Sequence, residues 1–357
     1  MIRTCCRALA LSLFPIATAF SQSPATAAAL PSDPAALLKL AAQVNGLHGD
    51  GLQPWHVHAT WQTKDSDKIV GRGTFEEWWA APHKFKVAIT SAEGSRTTWD
   101  NGNGQYQLRS ANLVAPQATR VQGLIVEPIR DASMLAGIRT QFETVHEKKK
   151  EPDLDCAREN IVNEGGKPVY LIDSMGERRP RGLQYCFGDG LAAVRTRYDG
   201  FSRAAFNALV RFQGRFLARQ ILFDYGIGPV TEVSVDTIET LEPLVDAEFN
   251  PPAEAKLSPN MPTPDVSGSV IAANRIGGLN PEYPSQAKMG HIQGTVILQG
   301  TISPAGNVTD LQVVTSPPAL QKAALDAVKT WRYKPILLNG QPVAVETQID
   351  VVFRLSR

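Results

Sequence analysis

The spacing of apolar and polar residues changes period several times along the chain, and each change predicts an element. After Ser32-Asp33 and Pro34, which supply a helix cap and a first helical residue, the run from Ala35 to Val44 has helical spacing. From Gly51 the period drops to two, placing Trp55, Val57, Ala59 and Trp61 on one face of a strand. Similar runs cover Ile69 to Trp79, His83 to Ser91, Arg96 to Trp99 and Gln105 to Arg109, with Asp100-Asn-Gly-Asn-Gly104 as a hairpin turn. Helical spacing returns between 124 and 147, notably Ile129 to Phe142. Strand patterns then resume at Val169 to Asp173, Gln184 to Phe187, Ala192 to Tyr198, Ala208 to Phe212, Leu217 to Tyr225 and Thr231 to Leu241. The fold class is therefore α+β, with residues 30–249 forming a mostly antiparallel β domain. A half-open barrel and a plain β-sandwich both accommodate these strands and helices.

Asn250 to Asp265 holds five prolines and no periodicity, which predicts an extended linker. In polyproline geometry its roughly 16 residues would span on the order of 50 Å. Beyond it, residues 266–357 predict a second, smaller domain. Thr295 to Ile302 alternates, Ser303-Pro-Ala-Gly-Asn307 turns the chain, and Leu311 and Val313 share a face of the next strand. Ser316-Pro317-Pro318 starts a helix whose Leu320, Ala323, Ala324, Ala327, Val328 and Trp331 fall in one apolar arc, opposite Lys322, Asp326 and Lys329. Lys334-Pro335 ends it and Asn339-Gly340 suits a tight turn. In the last strand Val343, Val345, Thr347, Ile349, Val351, Phe353 and Leu355 point one way. Ala344, Glu346, Gln348, Asp350, Val352 and Arg354 point to the other, wet face. The pattern is a ββαβ unit, preceded by a turn of helix near Pro284 to Met289, with its last strand at a sheet edge.

Tyr283-Pro284, Ala287, Gly294-Thr-Val296, Gly306-Asn-Val308, Ala324 to Val328, Trp331-Arg-Tyr333-Lys-Pro335 and Asn339-Gly340 resemble, in order and spacing, the C-terminal domain of the TonB family of energy transducers. The resemblance implies a periplasmic module that recognises TonB-dependent outer-membrane transporters by adding a short extended segment of them to its sheet edge. The candidate docking strand is Val345, Glu346, Thr347, Gln348, Ile349, Asp350, Val351, Val352 and Phe353. On this reading proline at Gln348 or Asp350 blocks pairing and Gln348→Ala is nearly silent. The same edge can pair with a second copy of the chain, giving a homodimer. The family also implies contact with proton-driven motor proteins through an uncleaved inner-membrane helix. For residues 30–249, a sheet that wraps a helix is similar in topology to periplasmic lipoprotein carriers of the LolA type. That implies a lipid or lipoprotein ligand, with Trp55, Trp61 and Trp78 lining an apolar concavity.

The start of the chain departs from the transducer pattern. Arg3 and Arg7 precede an apolar stretch from Ala8 to Phe20 that Pro15 interrupts, which is the pattern of a secretory signal over residues 1–21. Its apolar run is shorter than the about 20 residues a membrane span needs, so cleavage and a periplasmic location are expected. Cleavage removes Cys5 and Cys6 and leaves Cys156 and Cys186, as a disulfide or as two separate buried thiols. A net charge of +1 over 357 residues gives no surface for nucleic acid.

Candidate chemistry is sparse. His56 and His58 share a strand face and would hold a metal only if His48 or His83 joined them, and Asp100 to Gly104 reads as a turn before it reads as a calcium loop. His146-Glu147 lacks a second histidine, and Gly200-Phe-Ser202-Arg-Ala204 lacks the closing glycine of a nucleophile elbow. No catalytic residue, metal or cofactor is expected, and the chain reads as a binding protein.

Overall fold

A computed structural model describes residues 29–49, 51–110, 116–129, 139–146, 154–163, 165–172, 178–180, 182–188, 190–199, 202–224, 229–242, 244–257, 265–266, 274–338 and 341–355. The expected signal segment and the Asn339-Gly340 turn lie outside these residues.

The first part runs α1 (Pro34–Val44), β1 (Trp55–Asp65), β2 (Lys68–Ala81), β3 (Lys84–Ser91), β4 (Ser95–Asp100), β5 (Gln105–Arg109) and α2 (Pro116–Val126). It continues through β6 (Arg139–His146), β7 (Asp155–Val162), β8 (Tyr170–Ile172), β9 (Arg178–Pro180), β10 (Gly182–Phe187), β11 (Val194–Asp199), β12 (Ser202–Phe212), β13 (Arg215–Asp224) and β14 (Val230–Thr240). The connector contributes two short strands, β15 (Lys256–Leu257) and β16 (Asp265–Val266). The last part is β17 (Arg275–Gly277), α3 (Ser285–Met289), β18 (Gly294–Ile302), β19 (Val308–Thr315), α4 (Pro318–Val328), β20 (Arg332–Tyr333), β21 (Ile336–Leu338), β22 (Gln341–Val343) and β23 (Val345–Phe353).

Hydrogen bonding joins thirteen strands into one sheet, in the order β15-β5-β4-β3-β2-β1-β14-β13-β12-β11-β10-β7-β6. It is thus one open sheet and not two sheets of a sandwich. The strand that alternates from Trp55, β1, lies inside it and pairs along its length with β2 on one side and β14 on the other. Trp55, Val57, Ala59 and Trp61 are all buried, and each large one contributes about 1.5–3 kcal/mol of apolar burial. Helix α1 lies against β6, β7 and β13, and α2 against β2, β3 and β13, so the sheet bends around both helices.

Asp33 caps α1 by accepting from the Ala36 N–H at 2.8 Å, with Pro34 at the first turn. Buried Asn45 then ties the end of α1 to the sheet, donating to the carbonyls of Ala41 (2.8 Å) and Ala192 (2.6 Å) and accepting from the Val194 N–H (3.0 Å). Cys156 and Cys186 face each other across β7 and β10 and are bonded, closing a loop of sequence separation 30.

One expectation fails in part. Of the helix expected from Ile129 to Phe142, residues 130–138 lie outside the described ones, and its end does not form: Arg139–His146 is strand β6, paired residue for residue with β7. A run such as Arg139-Thr-Gln-Phe-Glu-Thr-Val fits either period, and the partner strand decides it. The described ends of the connector, expected as an extended linker, also pair with strands. Lys256 and Leu257 extend the large sheet by pairing with Gln107 and Tyr106, and Lys84 and Lys86 bind Asp246 (2.6 Å) and Glu248 (2.9 Å) upstream of it.

In the last part, β16, β23, β18 and β19 form a four-stranded sheet in that order. Between α4 and β23 lie β20 and the small β21–β22 ladder, additions that a plain ββαβ description omits. The buried apolar residues of both sheets belong to one connected cluster.

Gly73 on β2 gives a test of the core. A Cβ there would stand 2.6 Å from the Trp61 ring and 2.0 Å from the Thr90 carbonyl oxygen, so the indole lies over a position that only glycine fits. Gly73→Ala is expected to lower stability by about 1–3 kcal/mol through overpacking, read as a fall in the urea midpoint. An unchanged midpoint would contradict this packing.

Candidate functional site

The expected docking strand is held from one side along its whole length. β23 pairs antiparallel with β18 from Gly294↔Phe353 to Ile302↔Val345. Its Val345, Thr347, Ile349, Val351 and Phe353 are buried, together with Leu320, Ala324, Ala327 and Val328 of α4. Alternation along the strand thus places its apolar side chains in the core.

The family-motif residues build the supports of this strand. Pro284 precedes α3, and its carbonyl accepts from the Lys288 N–H at 2.9 Å. The Tyr283 ring meets Phe353 edge-on at 5.5 Å between centroids, and its hydroxyl donates to the Ile292 carbonyl at 2.6 Å. Trp331 donates from Nε1 to the Leu279 carbonyl at 2.8 Å, under the Arg275 guanidinium 4.0 Å from its ring. Tyr333 is buried, and its N–H donates to the carbonyl of Gly306 at 2.9 Å. Gly306 has φ +81°, and a Cβ there would come 2.0 Å from the Tyr333 oxygen, so the turn demands glycine. Gly294 opens β18 at φ +151° beside Pro317. Pro335 follows Lys334, whose N–H is satisfied by the Asn274 carbonyl at 2.9 Å.

The other side of β23 is only partly open. Asp265 and Val266 pair with Glu346 and Thr347, running parallel to them. From Gln348 to Phe353 no strand among the described residues pairs on that side. The edge expected from Val345 to Phe353 is therefore shortened at its start by the connector itself.

The face expected to be wet is not wet at its centre. Gln348 is only 5 % exposed. It donates to Asp350 Oδ1 at 2.7 Å and accepts from Nη1 of Arg120, on α2, at 3.4 Å. Arg120 also donates from Nη2 to Ser202 Oγ (2.6 Å) and lies 3.7 Å from Asp199 Oδ2, as does Arg197. Glutamine at an outward strand position reads as solvated, and only the tertiary arrangement reveals an arginine 228 residues away.

A second polar cluster joins α2 to the large sheet. His48 Nδ1 is 3.0 Å from Glu127 Oε1 and its Nε2 is 3.3 Å from Glu77 Oε1, while Gln122 donates to the other Glu77 oxygen at 3.1 Å. Glu77 is 1 % exposed, so its charge needs these partners. Burial alone pushes the His48 pKa down, but hydrogen bonds to Glu127 and Glu77 outweigh it and raise it to about 10. His48 and His83, the latter 3.4 Å from Asp100, are thus engaged with carboxylates and do not join His56 and His58. Those two sit on the opposite sheet face beside Glu239 and Asp236, with Trp78 stacked on His56 at 4.6 Å. Trp78 accordingly does not share a face with Trp55 and Trp61; Trp79 does, stacked on Trp55 at 5.9 Å. The Asp100 loop is a turn whose side chains accept from the N–H groups of Gly102 (3.0 Å) and Asn103 (3.1 Å).

Residues 279–355 match the family described as Gram-negative bacterial TonB protein C-terminal. The protein TonB of Vibrio cholerae serotype O1 is 35 % identical over 80 residues, covering 22 % of this chain and 33 % of that protein. The protein TonB of Xanthomonas campestris pv. campestris strain B100 is 34 % identical over 95 residues, 26 % of this chain and 42 % of its own. The chain thus spans less than half the length of these curated relatives. A LolA superfamily protein from Nitrosomonas europaea superposes with a TM-score of 0.34 at 11 % identity, covering 62 % of this chain and 99 % of its own. A likeness of that size carries no argument about this protein.

Two outcomes follow from these contacts. Gln348→Ala, silent on the sequence reading, is expected to cost about 1–2 kcal/mol in chemical unfolding because it removes an acceptor from a buried arginine. For His48 the folded pKa is raised, so its stabilisation is complete below about 6.5 and is lost as pH rises through about 10. The unfolding midpoint of the native chain should therefore fall between those values more steeply than that of His48→Gln. Parallel profiles would contradict the assignment.

Proposed function

We propose that the small sheet takes an extended segment of an outer-membrane transporter as an added strand along β23. The observation that carries this is a strand bonded fully on one side and, from Gln348 to Phe353, unpaired on the other among the described residues. Its alternate side chains are locked in the core, so the backbone N–H and C=O groups are presented in fixed register to an arriving chain. The match of residues 279–355 to the TonB C-terminal family supports this reading, and with it a part in transport across the cell envelope. Docking of this kind needs hydrogen bonding and no bond-breaking chemistry. No helix among the described residues is long and apolar enough to cross a membrane. A periplasmic location, contact with proton-driven motor proteins and pairing of two copies through β23 belong to the proposal.

A carrier role for the large sheet is the second reading. It is favoured by Trp61, 3 % exposed, whose buried indole N–H has no hydrogen-bond partner among the described residues. The inner face is also occupied by buried Val121, Leu124 and Ile125 of α2, so a lipid chain would have to displace them. Native mass spectrometry after exposure to phospholipid tests it, and a chain that retains none excludes the carrier.

Strand addition is tested on the peptide side, leaving the protein intact. Nine-residue peptides copied from periplasm-facing N-terminal segments of outer-membrane transporters are titrated against the full chain, and a binder is N-methylated one amide at a time. Each methyl group on a pairing amide removes one hydrogen bond, worth about 1 kcal/mol or roughly fivefold in affinity, and the losses should alternate along the peptide. Uniform losses, or losses that follow side-chain truncation alone, would sink backbone pairing.

A further inference from the structure

We propose that the connector between the two sheets is a built-in occupant of the docking edge, which an incoming strand has to displace before it can pair with the start of β23. This rests on the reading of β23 as the docking strand and adds its regulation.

Three observations carry it. Asp265 and Val266 already make a parallel ladder with Glu346 and Thr347, on the side of β23 that β18 leaves open. The chain upstream is fixed to the other sheet, through Lys256 and Leu257 on β5 and through Phe249, which is buried beneath Lys84. Only seven residues, 258–264, separate the two anchored points. Finally, the next residue of β23 is gripped on its face, where Arg120 holds Gln348.

A two-residue ladder is weak by itself. A tether this short presents it at an effective concentration of about a millimolar, which raises the concentration at which a free peptide displaces it. The consequence is a length filter. A short segment can settle on Gln348 to Phe353 without disturbing the connector. A segment long enough to reach Val345 must strip Asp265 and Val266 away, and in doing so frees the chain between the two sheets.

The test uses the full chain with two alterations and one control. Asp265→Pro together with Val266→Pro removes a backbone donor whichever of the two residues faces β23, and thirty Gly/Ser residues inserted after Leu257 lower the effective concentration by about tenfold, because it falls as the −3/2 power of tether length. Val266→Ala keeps the backbone donor. Hydrogen exchange at Thr347 and Gln348 is read first, followed by titration with a nine-residue transporter peptide and a six-residue truncation of it. Expected are faster exchange in both altered chains, several-fold tighter binding of the long peptide to them, and unchanged binding of the short one. The alanine control should behave as the native chain. Equal exchange and equal long-peptide affinity in all forms would overturn the proposal. Faster exchange with no peptide bound by any form would keep the connector as occupant of the edge and overturn β23 as a docking strand.

Discussion

An open β-sheet ends in a row of backbone N–H and C=O groups that need partners, and that requirement governs this molecule more than any side chain does. Two open sheets lie in one chain, so the problem arises at each of their margins. The connector answers part of it twice, since Lys256-Leu257 extends the large sheet beside β5 and Asp265-Val266 extends the small one beside β23. A segment that looks like a spacer is therefore structural at both ends.

The relation between the two sheets rests on buried polar contacts as well as on apolar cover. Arg120 connects Ser202 and Asp199 of the large sheet to Gln348 of the small one. A desolvated guanidinium is costly unless its donors are met, so such a contact selects one arrangement of the two bodies over many others of similar apolar burial. Helix α2 is the hub of this arrangement, because His48, Glu77 and Glu127 fasten one of its ends while Arg120 reaches across near the other.

The sequence made the centre of each sheet legible and left the margins obscure. Trp55 to Trp61 and Val345 to Phe353 alternate because one face of each strand is buried, and burial acts on every second residue independently of partner identity. Tyr283, Trp331 and Tyr333 were readable for a related reason, since each fills a place set by nearby backbone, at Ile292, Leu279 and Gly306. What could not be read depends on partners distant in sequence. Arg139–His146 is a strand because β7 lies beside it, Gln348 is dry because α2 covers it, and Trp78 faces away from Trp55 because β2 pairs Trp79 with that residue. The connector escaped for the opposite reason, since composition alone cannot distinguish a free extended chain from a paired one.

The bond between Cys156 and Cys186 has a consequence for how the chain can vary. It joins β7 to β10, two strands already paired, and everything between them, including the small β8–β9 ladder, hangs from that junction as a closed appendage. Because both roots are fixed covalently and by the sheet, a cut within the appendage would not release either strand. Beyond Val169, which packs on the core and donates to the Ile161 carbonyl, a change of length in the appendage would leave the thirteen-stranded order in place. In the large sheet this makes the junction a natural grafting point, where new recognition surface can be acquired without renegotiating the fold.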